Sequence, residues 1–171
     1  MKFLFSLLLP VVALCAQQGF GNPNAPASVP ANSGRPAPDS AIHHIGERFG
    51  GGIVFYVYDH GKHGLIAATS DQRAGVPWYN GLTRYTGAHA DGLGEGANNT
   101  KIIISKLIKD DENGFFAAKV CADYSVKAGG IVYKDWYLPS KYELNLLYRQ
   151  KKTVGGFRNE NYWSSTEYKS N

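Results

Sequence analysis

Residues 135–152 read DWYLPSKYELNLLYRQKK, and this stretch decides the fold. Ser140 and Glu143 stand three apart as S-x-x-E, the capping box. In it the Ser hydroxyl accepts a backbone N–H one turn on, and the Glu carboxylate reaches back to the Ser N–H. Pro139 fixes its own φ and biases Leu138 toward extended backbone, so a strand-like segment feeds a helix over about 140–150. Leu144, Leu147 and Tyr148 recur at i, i+3, i+4 and predict an apolar stripe facing a core. Arg149, Lys151 and Lys152 close the helix, where cations suit the negative end of its dipole. The stretch is a strand-to-helix corner with structural rather than catalytic chemistry.

Toward the N-terminus, MKFLFSLLLPVVALCA carries one Lys, an apolar run and small residues. It reads as a secretory signal peptide, residues 1–16, cut after Ala16 and too short to span a membrane. Lipid anchoring at Cys15 is the lesser alternative, because Leu14 is bulky for a lipobox. Residues 17–44 hold Pro23, Pro26, Pro30, Pro36 and Pro38 among Asn, Ala, Ser and Gly, with almost no large apolar residue. Such a segment buries too little surface to offset its ordering entropy and is expected to be a disordered spacer. Residues 45–171 remain for one folded domain, enough for a single core.

Removal of Lys2 lowers the 18 basic side chains by one against 14 acidic ones, so the formal charge falls from +4 to +3. The same cut removes Cys15 and leaves Cys121 without a partner. The expectation is then a domain held by packing alone, with Cys121 as a buried, inert thiol in AAKVCADY.

Along the domain, Ile53–Tyr58 and Leu65–Thr69 flank the turn DHGKHG and predict a hairpin. Residues 70–98 are irregular and Gly-rich. Asn99 or Thr100 is expected to cap a helix with the stripe Ile103, Ile104, Leu107 and Ile108, ending at Asn113-Gly114. Phe115–Tyr124 is a further helix, and Ile131–Leu138 is extended. The predicted class is α+β: one small domain of short antiparallel strands and about three helices.

GGGIVFYV, HGLIAATSDQ, GEGANNT, AAKVCADY, DWYLPSKYELNLLY, VGGF and YWSSTEY occur here in one order. Together they resemble the family named for the C-terminal domain of Lcl, a collagen-like bacterial surface adhesin. The resemblance covers roughly residues 45–168, and W-x-L-P-S-x-x-E-L followed by Y-W-S-S-T-E is specific as a pair. It implies a C-type-lectin-like fold, and a secreted or cell-surface protein that binds sulfated glycosaminoglycan and self-associates into a homo-oligomer. Two departures stand against it. No Gly-x-y collagen period is present, and the chain ends at Asn171, where relatives continue into final strands.

On that footing the expected ligand-binding residues are Lys141, Arg149, Lys151, Lys152 and Arg158, with Trp78 as an aromatic contact; Arg supplies a bidentate fork to sulfate. The competing reading of RQKK is a solvated, dipole-matched helix end. Lys101, Lys106 and Lys109 do not share one helical face. Trp136, Tyr137 and Trp163 are read chiefly as packing. His60-x-x-His63 with Asp59 is weak as a metal motif, and GAHADGLGEGANNT has neither EF-hand nor dinucleotide spacing. No catalytic residues, metal, cofactor or nucleic-acid partner are expected. The alternative function is a protein-binding or structural envelope component, partnered by a host or bacterial surface protein and without glycan affinity.

Overall fold

The capping box forms as the spacing requires. Ser140 Oγ accepts from the Glu143 N–H at 3.2 Å, and Glu143 Oε2 accepts from the Ser140 N–H at 2.8 Å. In the computed structural model, which describes residues 11–20, 41–80, 85–109 and 113–168, this box opens the helix α3, Lys141–Arg149.

The remaining elements are best given in chain order. Two strands, β1 (Val11–Ala13) and β2 (Ala16–Phe20), precede β3 (Arg48–Phe49), β4 (Gly52–Tyr58), β5 (His63–Ala67) and β6 (Arg73–Ala74). Helices α1 (Glu95–Leu107) and α2 (Ala117–Asp123) follow, then the hairpin β7 (Val126–Ala128) and β8 (Ile131–Tyr133). Beyond α3 come the short α4 (Lys151–Val154) and β9 (Asn161–Tyr162). The class is α+β, with four helices among the described residues instead of about three.

One antiparallel sheet runs β2-β5-β4-β3, and its centre is the expected hairpin: Val54 pairs with Ile66 and Tyr58 with His63. Asp59 and His60 make its turn, both at positive φ, and Asp59 Oδ2 lies 3.6 Å from His63 Nε2. Val54, Phe55, Leu65 and Ile66 are buried from this sheet against Ile103 and Leu107 of α1, Phe116 of the α2 entry and Leu147 of α3. A second sheet is β6-β1-β9, with β1 antiparallel to β6 and parallel to β9.

Several boundaries differ from expectation. The helix α1 starts at Glu95 rather than at Asn99 or Thr100, because Gly94 turns the chain at φ +83° and the Glu143 carboxylate accepts the exposed N–H groups of Gly94 and Gly96. Asn99 and Thr100 are buried inside it instead. Asn99 Nδ2 donates to the Ala90 carbonyl, and Thr100 Oγ1 accepts from the Leu138 N–H. In α3 the buried positions are Glu143 and Leu147, whereas Tyr148 is exposed. The expected stripe is therefore rotated by about one residue, because the cap draws Glu143 inward.

Residues N-terminal to the expected domain start at 45 also pack into the fold. Residues 17–20 lie in β2, Leu14, Cys15 and Ala16 are buried in the core, and His43 is buried; residues 21–40 of the expected spacer and residues 1–10 lie outside the described residues. Cys121 is not an unpaired thiol: it is bonded to Cys15, 106 residues away. The sulfur that a lipid anchor would need is in that bond. Cross-linking so long a loop contributes about 2–5 kcal/mol.

The terminal YWSSTEY crosses the molecule as a row of hydrogen bonds. The Trp163 indole N–H donates to the Val76 carbonyl, the Ser165 N–H to Pro139, and the Glu167 N–H to Ala88. The Glu167 carboxylate accepts from the N–H groups of Thr86 and Gly87. The motif thus ties Val76 and residues 86–88 to the entrance of α3.

Two stability tests follow. Ser140→Ala should cost about 1–2 kcal/mol, and Leu147→Ala roughly 2–5 kcal/mol, in urea melts of the full chain. Glu143 supplies the pH test. Burial pushes its carboxyl above the ordinary 4.5, against the hydrogen bonds from Ser140, Gly94 and Tyr137, which lower it. The folded state then binds more protons than the unfolded one between 4.5 and the raised value, so this group's contribution falls as pH rises through that window. Relative to Glu143→Gln, which does not titrate, the wild-type urea midpoint should fall as pH rises above 4.5.

Candidate functional site

With Glu143 and Leu147 turned inward, α3 presents Lys141, Tyr142, Asn145, Tyr148 and Arg149 to solvent. Tyr142, Asn145 and Arg149 share one side at i, i+3, i+7, while Lys141, Asn145 and Tyr148 form the adjoining row, and Lys152 is exposed on the short α4 beyond the break at Gln150. A shallow hollow of about 370 Å³ opens along this face, lined by Tyr142, Asn145, Leu146, Tyr148 and Arg149. The Tyr142 and Tyr148 rings are 45 % and 56 % exposed on this face.

Charge is concentrated on the same face. The Lys151 ammonium lies 4.0 Å from the centre of the Tyr148 ring and donates to its hydroxyl at 2.8 Å. That hydrogen bond, and the charge beside it, lower the Tyr148 phenol from its ordinary 10.0. Among the described residues no carboxylate pairs with Lys141, Arg149 or Lys152. Their charges face water, available to an anion. The arrangement can lay a sugar ring on an aromatic face and meet an acidic substituent with a guanidinium or an ammonium.

Two of the expected ligand residues stand elsewhere. Arg158 is held by Asp71, with Nε 3.3 Å from Oδ2, and its own N–H donates to the Tyr162 hydroxyl. Burial pushes the Asp71 carboxyl up from 3.8, while Tyr162 and Arg158 pull it back. Asp71 also lines a second hollow, of about 400 Å³, with Ser70, Gln72, Arg73, Phe115, Val120, Asp123 and Tyr124. That hollow mixes acids and bases and suits no single charge. Trp78 is half-buried against the core, with its indole N–H donating to the Ser164 carbonyl at 2.8 Å. It serves packing.

The expected packing aromatics divide in a related way. Trp136 and Tyr137 are buried, and Trp163 is half-buried. Lys101, Lys106 and Lys109 are all exposed around α1 and its end. Among the described residues no three His, Cys, Asp or Glu side chains gather as metal ligands, and no helix is long and apolar enough to cross a membrane.

Sequence reasoning missed Tyr142 and Tyr148. The signal lay in the capping box: a buried Glu143 fixes the inward row as 140, 143 and 147, and position 148 then falls on the polar side.

Compared with known proteins, the chain matches no family model, no curated protein and no solved structure.

The orientation of α3 can be tested directly. Tyr142→Ala and Tyr148→Ala should each change unfolding free energy by no more than about 0.5 kcal/mol, as exposed positions do, in contrast to Leu147→Ala. A Tyr148→Ala loss as large as that of Leu147→Ala would put Tyr148 back in the core.

Proposed function

We propose that the protein is an exported, non-enzymatic binding module that recognises anionic, sulfated polysaccharide at a cell surface through the outer face of α3 and α4. The observation that carries this reading is Arg149 lining one hollow with two exposed tyrosine rings, on a segment where Lys141 and Lys152 are also exposed and none of the three has a carboxylate partner among the described residues. Aromatic faces bind the apolar side of a sugar ring, and cations bind its sulfates. The resemblance of DWYLPSKYELNLLY and YWSSTEY to the Lcl C-terminal family supports the same ligand class and a C-type-lectin-like arrangement. Export is supported by the apolar N-terminus and by a disulfide, which persists in oxidising compartments.

A single exposed ion pair is worth roughly 0.2–1 kcal/mol, so useful retention comes from several sites acting together in a homo-oligomer. The full chain should bind a heparin column at low salt and elute as salt screens the contact. Arg149→Ser, Lys151→Ser and Lys152→Ser combined should lower affinity about tenfold, while the same change at Lys101, Lys106 and Lys109 should lower it far less. If the wild type flows through at low salt, the protein-partner reading takes the place of the glycan one. If only the α1 triple variant loses retention, the site is on α1.

A further inference from the structure

The ten residues from Val11 to Phe20 join four separate parts of the fold. The strand β2 pairs with β5 through Ala16–Ala67, Gln17–Ile66 and Gln18–Leu65, which makes β5 an inner strand. The strand β1 is the middle member of β6-β1-β9, and β6 and β9 meet only through it. At the start of β2, Ala16 exchanges both backbone hydrogen bonds with Tyr137, at 2.9 and 2.8 Å. The Cys15 N–H donates to Gln72 Oε1 at 3.0 Å, and the Cys15 carbonyl accepts from the Ala68 N–H at 3.0 Å. Cys15 and Ala16 are fully buried, and Cys15 is bonded to Cys121 of α2.

These are also the residues that end the leader-like sequence. A cut after Ala16 would remove β1 and Cys15. It would sever the chain at the Tyr137 bridge and leave Cys121 without its partner. Export processing at Ala16 and this fold therefore compete for one segment. We propose that residues 11–20 stay with the folded domain as the strands β1 and β2, and that the Cys15–Cys121 bond is the covalent step that commits them to it.

The bond forms as two thiols give up two protons and two electrons to a disulfide oxidant, which is itself reduced to a dithiol through a mixed-disulfide intermediate. An oxidising compartment supplies such an oxidant. Once closed, both sulfurs are shielded from solvent, so a reductant reaches them only after the segment opens.

The test uses the full chain directed to export and recovered without reductant. It is denatured and treated with iodoacetamide, and its intact mass is measured. The expected protein contains Cys15, takes up no alkyl group, and takes up two after reduction. An N-terminus at Gln17, or one alkyl group on Cys121 before reduction, would overturn the proposal. The thermodynamic arm compares Cys15→Ser, Cys121→Ser and the double variant in denaturant melts. The two single variants should lower the midpoint equally, and the double variant no further. A harmful Cys121→Ser beside a neutral Cys15→Ser would show that Cys121 acts as a packed thiol and that the N-terminal segment is not held. If the variants do not fold, the wild-type alkylation result decides alone.

Discussion

One buried carboxylate sets the geometry of this protein. Glu143 is fully buried, and its two oxygens accept the N–H groups of Gly94, Gly96 and Ser140 and the Tyr137 hydroxyl, at 2.8–3.2 Å. Four donors offset much of the cost of taking a charge out of water. The N-terminus of α1, with its positive dipole end, is thereby clamped to the cap of α3. There is no room for a side chain at position 96. A Cβ on Gly96 would collide with Glu143 Oε2 and lie 2.7 Å from both the Ser140 nitrogen and the Tyr137 ring. Losing the carboxylate would strand three backbone donors, each at a cost of about 1–3 kcal/mol.

The clamp has a consequence at the surface. Drawing Glu143 inward fixes the rotation of α3, so Leu147 follows it into the core and Tyr142, Tyr148 and Arg149 are left outside. The aromatic and basic face is thus the far side of a helix whose near side is spent on a buried ion's hydrogen bonds. Affinity and stability are separated: the rings and cations proposed to meet glycan do little for the fold, and Glu143, Ser140 and Leu147 do not reach solvent.

Much of this was legible in the sequence because it is local. The cap at Ser140, the helix behind it and the hairpin about Asp59–Gly61 are set by spacings of a few residues. What was not legible depends on long separations. The donors that hold Glu143 inside come from Gly94 and Gly96, 49 and 47 residues away, and without them an acidic residue reads as solvent-facing. The stripe was for that reason drawn through Tyr148. Residues 11–20 were read as leader from composition alone, and only pairing with β5, β6 and β9 and the bond to Cys121 show them as strands. The hairpin β7–β8 was half seen: Ile131–Tyr133 was extended as expected, but its partner Val126–Ala128 has too few residues to give a pattern. At the site, Lys141, Arg149, Lys151 and Lys152 were legible as charges, whereas the tie of Arg158 to Asp71 spans 87 residues and was not.

The central claim is that the clamped α3 offers its outer face to sulfated sugar. The most direct measurement is a heteronuclear NMR titration of the full chain with a short heparin oligosaccharide. Chemical-shift changes should concentrate on Lys141, Tyr142, Asn145, Tyr148, Arg149 and Lys152, and leave Trp78 and Arg158 unmoved. Changes centred on the Asp71 hollow or on α1, with α3 silent, would contradict the account.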